Sequence, residues 1–302
     1  MHEPIRRAKA SVRKPFFRTL TLCAALYVLA CVGCASFQRR LIYFPPVFPP
    51  ERVGELARSE NLERWMSPLR KPVGWMRRSP TQPAHGQVLI THGNACCAFQ
   101  CAHLVDAIQQ TAALDVFVVE FPGYADRPGT PTERTLDAAA AEAIQLLSTN
   151  TPLYLVGESL GTGVAAYLAG LYPEKVAGIA LLAPYSRLAD VAQAHVRILP
   201  VRLLLRDRFP AEDYLRNYHG PLTVLVGGQD SVVPKRFGLR LYNNYSGPKH
   251  LWEFPQATHD SLMFQPPAVW KQIIAFWQSQ RDAQANGVRL RVGVPVWPNQ
   301  RN

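Results

Sequence analysis

The stretch LYLVGESLGTGVAAYLAG, residues 153–170, decides the fold. It begins as a short apolar run, which predicts a buried strand, and ends as a run of small residues, which predicts a closely packed helix. Ser159 lies between the two, flanked by Gly157 and Gly161. Side chains at these glycines would collide where a strand turns sharply into a helix. The pattern therefore predicts a tight strand-to-helix turn that carries the hydroxyl of Ser159.

The Gly-x-Ser-x-Gly pattern by itself is weak evidence for a reactive serine. With 19 glycines among 302 residues, chance produces such a match in about one chain of this composition in twenty. The alternative interpretation is a glycine-rich turn between two core elements. The context favours the reactive serine, because few chance matches would fall at the junction of a predicted strand and a predicted helix.

A serine hydroxyl is a weak nucleophile, so a base and a group that orients the base are needed. Asp230 follows the apolar strand of PLTVLVGGQD, and His259 follows the strand of LWEFPQAT. Both therefore lie at the carboxyl ends of predicted parallel strands, on the same sheet edge as Ser159. The sequence predicts these three as the catalytic residues, in the chain order serine, aspartate, histidine.

The other histidines near this part of the chain fit the base less well. His250 precedes its strand and is expected at the opposite sheet edge, whereas His195 and His219 fall in the excursion over residues 185–220. His92 ends the strand QVLIT and is interpreted as structural.

Acyl transfer also requires two backbone N–H groups that face the developing oxyanion. The first is expected from Leu160, which follows the serine. The second is expected from the loop THGNA, residues 91–95, where Asn94 is the predicted donor and Ala95 the alternative.

Apolar strands alternate with helix signals along most of the chain, which predicts an α/β fold with a mostly parallel central sheet flanked by helices. The predicted domain covers residues 87–283, and its helical excursion over 185–220 is predicted to be a lid. Residues 35–86 are predicted as an extended, proline-rich segment followed by early strands that form a hairpin. Residues 284–302 are predicted to be a C-terminal tail.

The N-terminus, residues 1–34, resembles a secretory signal peptide or a membrane anchor. Six basic residues and one acid precede an apolar run of about fifteen residues, from Leu20 to Cys34, which is short for a span of roughly 20. This flank contributes much of the net charge of +11. A nucleic-acid partner is not expected, because no basic motif with interleaved aromatics is present. The sequence predicts attachment to a membrane through the N-terminus, in the cell envelope, with the remaining chain outside the cytoplasm.

The six cysteines form two groups. Cys34 ends a partial match to the lipobox of bacterial lipoproteins, so lipidation there and an uncleaved anchor are both open. Cys96, Cys97 and Cys101 lie close together, and either one local disulfide or three buried thiols would suit them. No metal site is predicted, because a second cluster of His or Cys at zinc-finger spacing does not accompany them.

With these motifs together, the sequence resembles serine hydrolases of the α/β-hydrolase fold over about residues 60–283. The matching motifs are THGNA, GESLG, GGQD and ATHD, in this order. FPGYADRPGTPTE and the lid phrase SRLADVA…LPVRLLLRDRF resemble the membrane-anchored branch of esterases, thioesterases and lipases.

The resemblance implies hydrolysis of a carboxylic ester or thioester in a small acyl substrate, lipid-like or acylated, through a Ser-His-Asp triad and an acyl-enzyme. It implies neither a cofactor nor a metal. Two alternatives remain: a serine peptidase of the same fold, and a non-catalytic envelope scaffold that binds a partner through the lid surface.

Overall fold

The structure, a computed structural model, describes residues 13–286. The first part of the basic flank and the predicted C-terminal tail from residue 287 onward lie outside the described residues. Eight strands form one sheet: β1 (Glu63–Met66), β2 (Pro72–Arg77), β3 (Gly86–Thr91), β4 (Leu114–Val119), β5 (Leu153–Glu158), β6 (Val176–Leu182), β7 (Leu222–Gly227) and β8 (Lys249–Phe254).

The strand order is β1-β2-β4-β3-β5-β6-β7-β8. β1 and β2 form an antiparallel hairpin that pairs antiparallel with β4, and every later neighbour pair is parallel. The inner strands β3, β4, β5 and β7 are buried along their whole length, as expected when helices cover both faces of a parallel sheet. The prediction of an α/β-hydrolase fold with a mostly parallel sheet is confirmed.

Helices cover the sheet and extend from it. They are α1 (Arg13–Ile42), α2 (Pro50–Ser59), α3 (Ala102–Gln109), α4 (Glu133–Gln145), α5 (Leu160–Leu171), α6 (Leu188–His195), α7 (Val201–Leu204), α8 (Ala211–Tyr214), α9 (Arg236–Asn244), α10 (His259–Met263) and α11 (Pro267–Ala285). The start of α4 shows how the sequence fixes a boundary: the Thr132 hydroxyl accepts a hydrogen bond from the Thr135 N–H at 3.0 Å, which satisfies a backbone donor of the first turn.

The prediction of an extended segment after residue 35 was wrong for residues 35–42 and 50–59, which are helical. α1 continues to Ile42, and residues 50–59 form α2. Pro50 is the first residue of α2, where proline lacks only an N–H that has no partner inside the helix anyway. Val53 and Ala57 lie one turn apart and are both buried, so this helix is held by its apolar face.

Within the described residues, α1 contains one segment, Phe16–Ile42, that is long and apolar enough to cross a membrane, and its most apolar part is not buried in the protein. It is longer than the apolar run of the sequence because residues 35–42 add two turns without a helix breaker. A membrane anchor and a signal sequence both fit such a helix.

The C-terminal end of α1 lies against the segment 185–220, which we call the lid segment. Gln38 donates from Nε2 to the Leu204 carbonyl oxygen at 3.1 Å and accepts at Oε1 from the Arg206 N–H at 2.6 Å. Arg39 pairs with Asp207 at 3.1 Å. These contacts follow Cys34 in the chain, so cleavage at that cysteine would leave them in place.

Candidate active site

Ser159 lies at the turn between β5 and α5, on the carboxyl edge of the sheet. Its backbone has φ 48° and ψ −116°, a strained conformation for a residue with a side chain. Two hydrogen bonds fix the turn: the Ser159 N–H donates to Leu182 O at 2.9 Å, and the Thr162 N–H donates to Ser159 O at 2.9 Å. The side chain remains partly exposed, so its hydroxyl is available to a substrate.

The two flanking glycines are required by close contacts. A Cβ at Gly157 would lie 2.8 Å from Thr162 Cα, and a Cβ at Gly161 would lie 2.1 Å from the Thr91 carbonyl oxygen. Real Cβ atoms essentially never approach so closely. Any larger residue at either position would displace the turn that carries Ser159.

Asp230 lies in the loop after β7 and is buried. Its Oδ1 accepts hydrogen bonds from the N–H groups of Val232 at 2.9 Å and Val233 at 2.7 Å. Its Oδ2 lies 2.8 Å from His259 Nδ1. One carboxylate oxygen is therefore held by the backbone, and the other faces the imidazole.

His259 bridges the two other predicted residues. Its Nδ1 faces Asp230, and its Nε2 lies 3.0 Å from Ser159 Oγ. Because a carboxylate only accepts, the proton lies on Nδ1, and Nε2 is then the acceptor for the serine hydroxyl. The structure thus brings Ser159, Asp230 and His259 together, with the base able to remove the hydroxyl proton.

The predicted oxyanion loop lies beside the serine. A Cβ built at Gly93 would stand 3.7 Å from Ser159 Cβ. Leu160 is the first residue of α5, where the partial positive charge of a helix N-terminus favours an anion. The backbone donors at Leu160 and Asn94 stay predictions.

The side chain of Asn94 has a role that the sequence analysis missed. Its Oδ1 accepts from the Tyr124 hydroxyl at 2.8 Å and from the Phe44 N–H at 3.1 Å. Its Nδ2 donates to the Ile42 carbonyl oxygen. Asn94 therefore ties the loop to the end of α1. No local pattern signals this contact, because the partners are 30 to 52 positions away.

The other histidines lie elsewhere. His92 is fully buried and its Nε2 lies 3.1 Å from Glu120; burial lowers the pKa of His92, but hydrogen bonds with Cys96 and Glu120 outweigh it and raise the pKa overall. His195 Nε2 lies 2.9 Å from Val232 O and links the lid segment to the Asp230 loop.

All six cysteines are free thiols in the structure. Cys97 and Cys101 are buried and Cys96 is partly exposed. The pKa of Cys96 is lowered to about 6, because a hydrogen bond with Cys101 and the interactions with His92 outweigh the opposing effect of burial.

Two broad surface depressions, of about 1550 and 660 Å³, lie at the other edge of the sheet. The lining of the 1550 Å³ depression includes His219 and the residues that begin β5, β6 and β8, namely Leu153, Val176 and Lys249; the lining of the 660 Å³ depression includes Gly86, which begins β3. Ser159 lies at the opposite end of β5, so neither depression holds a substrate of this serine.

Comparison with known proteins agrees with the fold. Residues 87–214 match the alpha/beta hydrolase fold family. The chain is 32% identical to an uncharacterized protein of Mycobacterium tuberculosis over 80% of this chain and 90% of that protein. It is 28% identical to the lysophosphatidylserine lipase ABHD12 of Danio rerio, over 59% of this chain and 52% of the lipase, so it spans about half the length of that relative.

Solved structures share the architecture at low identity. The esterase Pf2001 of Pyrococcus furiosus superimposes with a TM-score of 0.57 at 14% identity, covering 79% of this chain and 98% of the esterase. The strand order, the turn at Ser159, the family match and the mycobacterial relative lead to one conclusion. The chain belongs to the alpha/beta hydrolase family.

Proposed function

We propose that this protein is a serine hydrolase that cleaves carboxylic ester or thioester bonds in substrates with an apolar acyl chain. The observation that carries the proposal is the pair of contacts from His259, 3.0 Å to Ser159 Oγ and 2.8 Å to Asp230 Oδ2. A base in reach of a strained, partly exposed serine, itself oriented by a buried carboxylate, is the arrangement that activates a hydroxyl.

Acylation uses these three side chains in sequence. His259 Nε2 accepts the Ser159 proton while Oγ bonds to the substrate carbonyl carbon, and Asp230 stabilises the imidazolium that forms. The backbone N–H groups of Leu160 and Asn94 are the proposed donors to the oxyanion, each worth about 10²–10³ in rate. His259 then gives its proton to the departing alcohol or thiol, which leaves an acyl-serine.

Deacylation repeats the same chemistry with water. His259 removes a proton from a water molecule while the water oxygen attacks the acyl carbon. His259 then returns the proton to Ser159 Oγ as the carboxylic acid departs. The cycle needs no cofactor and no metal ion.

The apolar substrate is supported by exposed side chains near the site. Phe44 adjoins Asn94 through a backbone hydrogen bond, Val232 is two residues after Asp230, and Phe264 follows α10. Each is at least half exposed, and exposed apolar side chains near a site favour an apolar ligand.

Membrane attachment and the relatives support the same substrate class. The unburied apolar part of α1 fits a membrane anchor or a signal sequence, and we propose that it holds the domain at the cell envelope, outside the cytoplasm. Similarity to relatives named lysophosphatidylserine lipases supports an acyl lipid. The lid segment, proposed here for residues 185–220, carries two further exposed apolar side chains, Ile198 and Leu203.

The test is hydrolysis of p-nitrophenyl esters with acyl chains of two to sixteen carbons, beside an aminoacyl p-nitroanilide, by the full-length protein in detergent. We expect ester cleavage that favours the longer chains and is lost in Ser159→Ala. Ser279→Ala, which changes an exposed hydroxyl on α11, is the matched control and should retain full activity. Faster cleavage of the anilide would identify a peptidase, and cleavage of neither by folded protein would favour the scaffold.

A further inference from the structure

Four side chains with metal-binding atoms gather behind the nucleophile turn and play no part in the proposed hydrolysis. Cys96 and Cys101 come from the loop and short 3₁₀ turn after β3, and Glu158 is the last residue of β5. One ligand atom from each of these three lies within 4.8 Å of the other two. Two sulfurs and a carboxylate oxygen suit a thiophilic divalent ion such as Zn²⁺.

The carboxylate of Glu158 lacks the partners that burial demands. Its side chain is only 4% exposed, and its Oε1 has no hydrogen-bond partner among the described residues. Its Oε2 accepts only a weak hydrogen bond, from Cys101 Sγ at 3.6 Å. A buried carboxylate is costly unless a cation or several donors compensate it, so this side chain itself points to a ligand.

His103 supplies a fourth donor, a ring nitrogen beside the Glu158 carboxylate. Its Nδ1 lies 3.1 Å from the Gln100 carbonyl oxygen, which can only accept, so Nδ1 carries the proton. Nε2 lies 3.5 Å from Glu158 Oε1 and has no hydrogen-bond partner within residues 13–286; once it gives up any proton to the solvent, its lone pair is free to bind an ion. Metal-bound histidines are commonly oriented in this way by a backbone carbonyl.

Two of the contacts around Glu158 have the length of an edge between ligands of one tetrahedral ion. With ordinary zinc bond lengths, the edges of the tetrahedron are about 3.4 Å between nitrogen and oxygen and about 3.6 Å between sulfur and oxygen. The observed separations are 3.5 Å from His103 Nε2 to Glu158 Oε1 and 3.6 Å from Cys101 Sγ to the other carboxylate oxygen, Oε2. The ligand atoms of Cys96, Cys101 and Glu158 already lie within 4.8 Å of one another, and a rotation of the Glu158 carboxylate would let His103 approach the same ion from its present contact with Oε1.

We propose that Cys96, Cys101, His103 and Glu158 form a zinc site that joins the oxyanion loop to the end of β5. Both thiols lose their protons when the ion binds. Four protein donors complete a tetrahedron, so the site is structural and leaves no position for a reacting water. The proposal departs from the sequence-based expectation of no metal site, because Glu158 and His103 do not follow a zinc-finger spacing.

The binding test uses the full-length protein in detergent, reduced, treated with a chelator and then freed of both reagents. We expect one Zn²⁺ per chain and a higher Tm, with no effect of Mg²⁺, which prefers oxygen donors. Co²⁺ should give the intense near-ultraviolet absorption of a thiolate-bound ion. Cys101→Ser should weaken Zn²⁺ binding about 100-fold or more, whereas Cys97→Ser, a neighbouring thiol outside the donor set, should bind as wild type does.

Two further variants keep the outcome decisive. Glu158→Gln keeps the shape of the side chain but removes its charge, so it should weaken binding even if Cys101→Ser folds poorly. Ser159→Ala should bind Zn²⁺ normally, which separates this site from hydrolysis. Equal Zn²⁺ affinity in wild type and both ligand variants would overturn the proposal. So would a Cys96–Cys101 disulfide that forms as fast with Zn²⁺ present as without it.

Discussion

The carbonyl oxygen of Thr91 lies 2.1 Å from the point at which a Cβ atom at Gly161 would stand. Thr91 Oγ1 also donates a hydrogen bond to the Gly161 carbonyl oxygen at 2.8 Å. The end of β3 and the first turn of α5 thus meet backbone to backbone beside Ser159. Because the oxyanion loop continues directly from Thr91, this contact sets the position of the nucleophile relative to that loop.

Replacing Gly161→Ala should therefore damage both stability and activity. The added methyl group must push β3 and α5 apart, and overpacking of this kind costs about 1–3 kcal/mol. We expect a lower Tm and a loss of at least about tenfold in kcat/KM, since small displacements of a nucleophile are expensive. Gly54→Ala on α2 is the control, because its Cβ would meet only the flexible end of Arg58 at 3.4 Å. Wild-type Tm and activity in Gly161→Ala would contradict this account.

Asp230→Asn should remove most of the turnover while leaving the fold intact. The asparagine oxygen can still accept from Val232 and Val233, but its amide would face His259 Nδ1 and favour the wrong imidazole tautomer. The expected fall in kcat on a p-nitrophenyl ester is about 10⁴-fold, with KM little changed. Asp213→Asn, at a half-exposed ion pair with Arg187, is the matched control. A loss below tenfold would show that Asp230 does not orient the base.

The buried carboxyl of Asp137 should make stability depend on pH. Burial, together with the negative charges of Glu133 and Asp207, raises the pKa of Asp137 to about 8, whereas in the unfolded chain this carboxyl titrates near the ordinary aspartate pKa of 3.8. The folded state therefore binds the Asp137 proton more tightly than the unfolded chain does. The contribution of this proton to the free energy of unfolding is fully present below about pH 4 and is lost as the pH rises through about 8.

Asp137→Asn does not titrate and should remove that dependence. The free energy of unfolding of Asp137→Asn minus that of wild type should rise by at least about 1 kcal/mol from pH 5 to pH 8. Thermal unfolding at the two pH values measures the difference, and the pH 5 comparison serves as the internal control. Parallel pH profiles for the two proteins would rule out a raised pKa for Asp137.

Gln38→Ala should loosen the lid segment. Gln38 is buried and serves two backbone groups, at Leu204 and Arg206, which would lose their partner at a cost of about 1–3 kcal/mol. Trypsin should then cleave after Arg202 and Arg206 several-fold faster. Arg40→Ala, which removes a guanidinium stacked over Phe37, should leave these two sites unchanged. Cleavage at the wild-type rate in Gln38→Ala would disprove the tether.

Local patterns of the sequence were sufficient to predict the strands of the parallel sheet and to predict that Ser159, Asp230 and His259 lie close together. β5 and β7 read as apolar runs and LWEF as a further strand, and the residues that follow parallel strands meet at one edge of the sheet. That is why Ser159, Asp230 and His259 could be placed together without a structure.

Contacts between distant segments were not predictable in this way. The proline-rich stretch before α2 suggested extended backbone, although Pro50 begins a helix whose buried face holds Val53. Gln38 reaches its lid partners across more than 160 positions, and no local signal marks such a pair. The approach of His103 to Glu158 depends likewise on the fold, since the two lie 55 positions apart.

Covalent labelling of Ser159 by a fluorophosphonate tests the central claim most directly. The full-length protein in detergent would be labelled beside Ser159→Ala, His259→Ala and the control Ser279→Ala, and the modified peptide identified by mass spectrometry. The account predicts label on Ser159 in wild type and Ser279→Ala, none in Ser159→Ala, and labelling slower by about 100-fold or more in His259→Ala. A folded wild-type protein that takes no label, or equal labelling of Ser159→Ala, would contradict it.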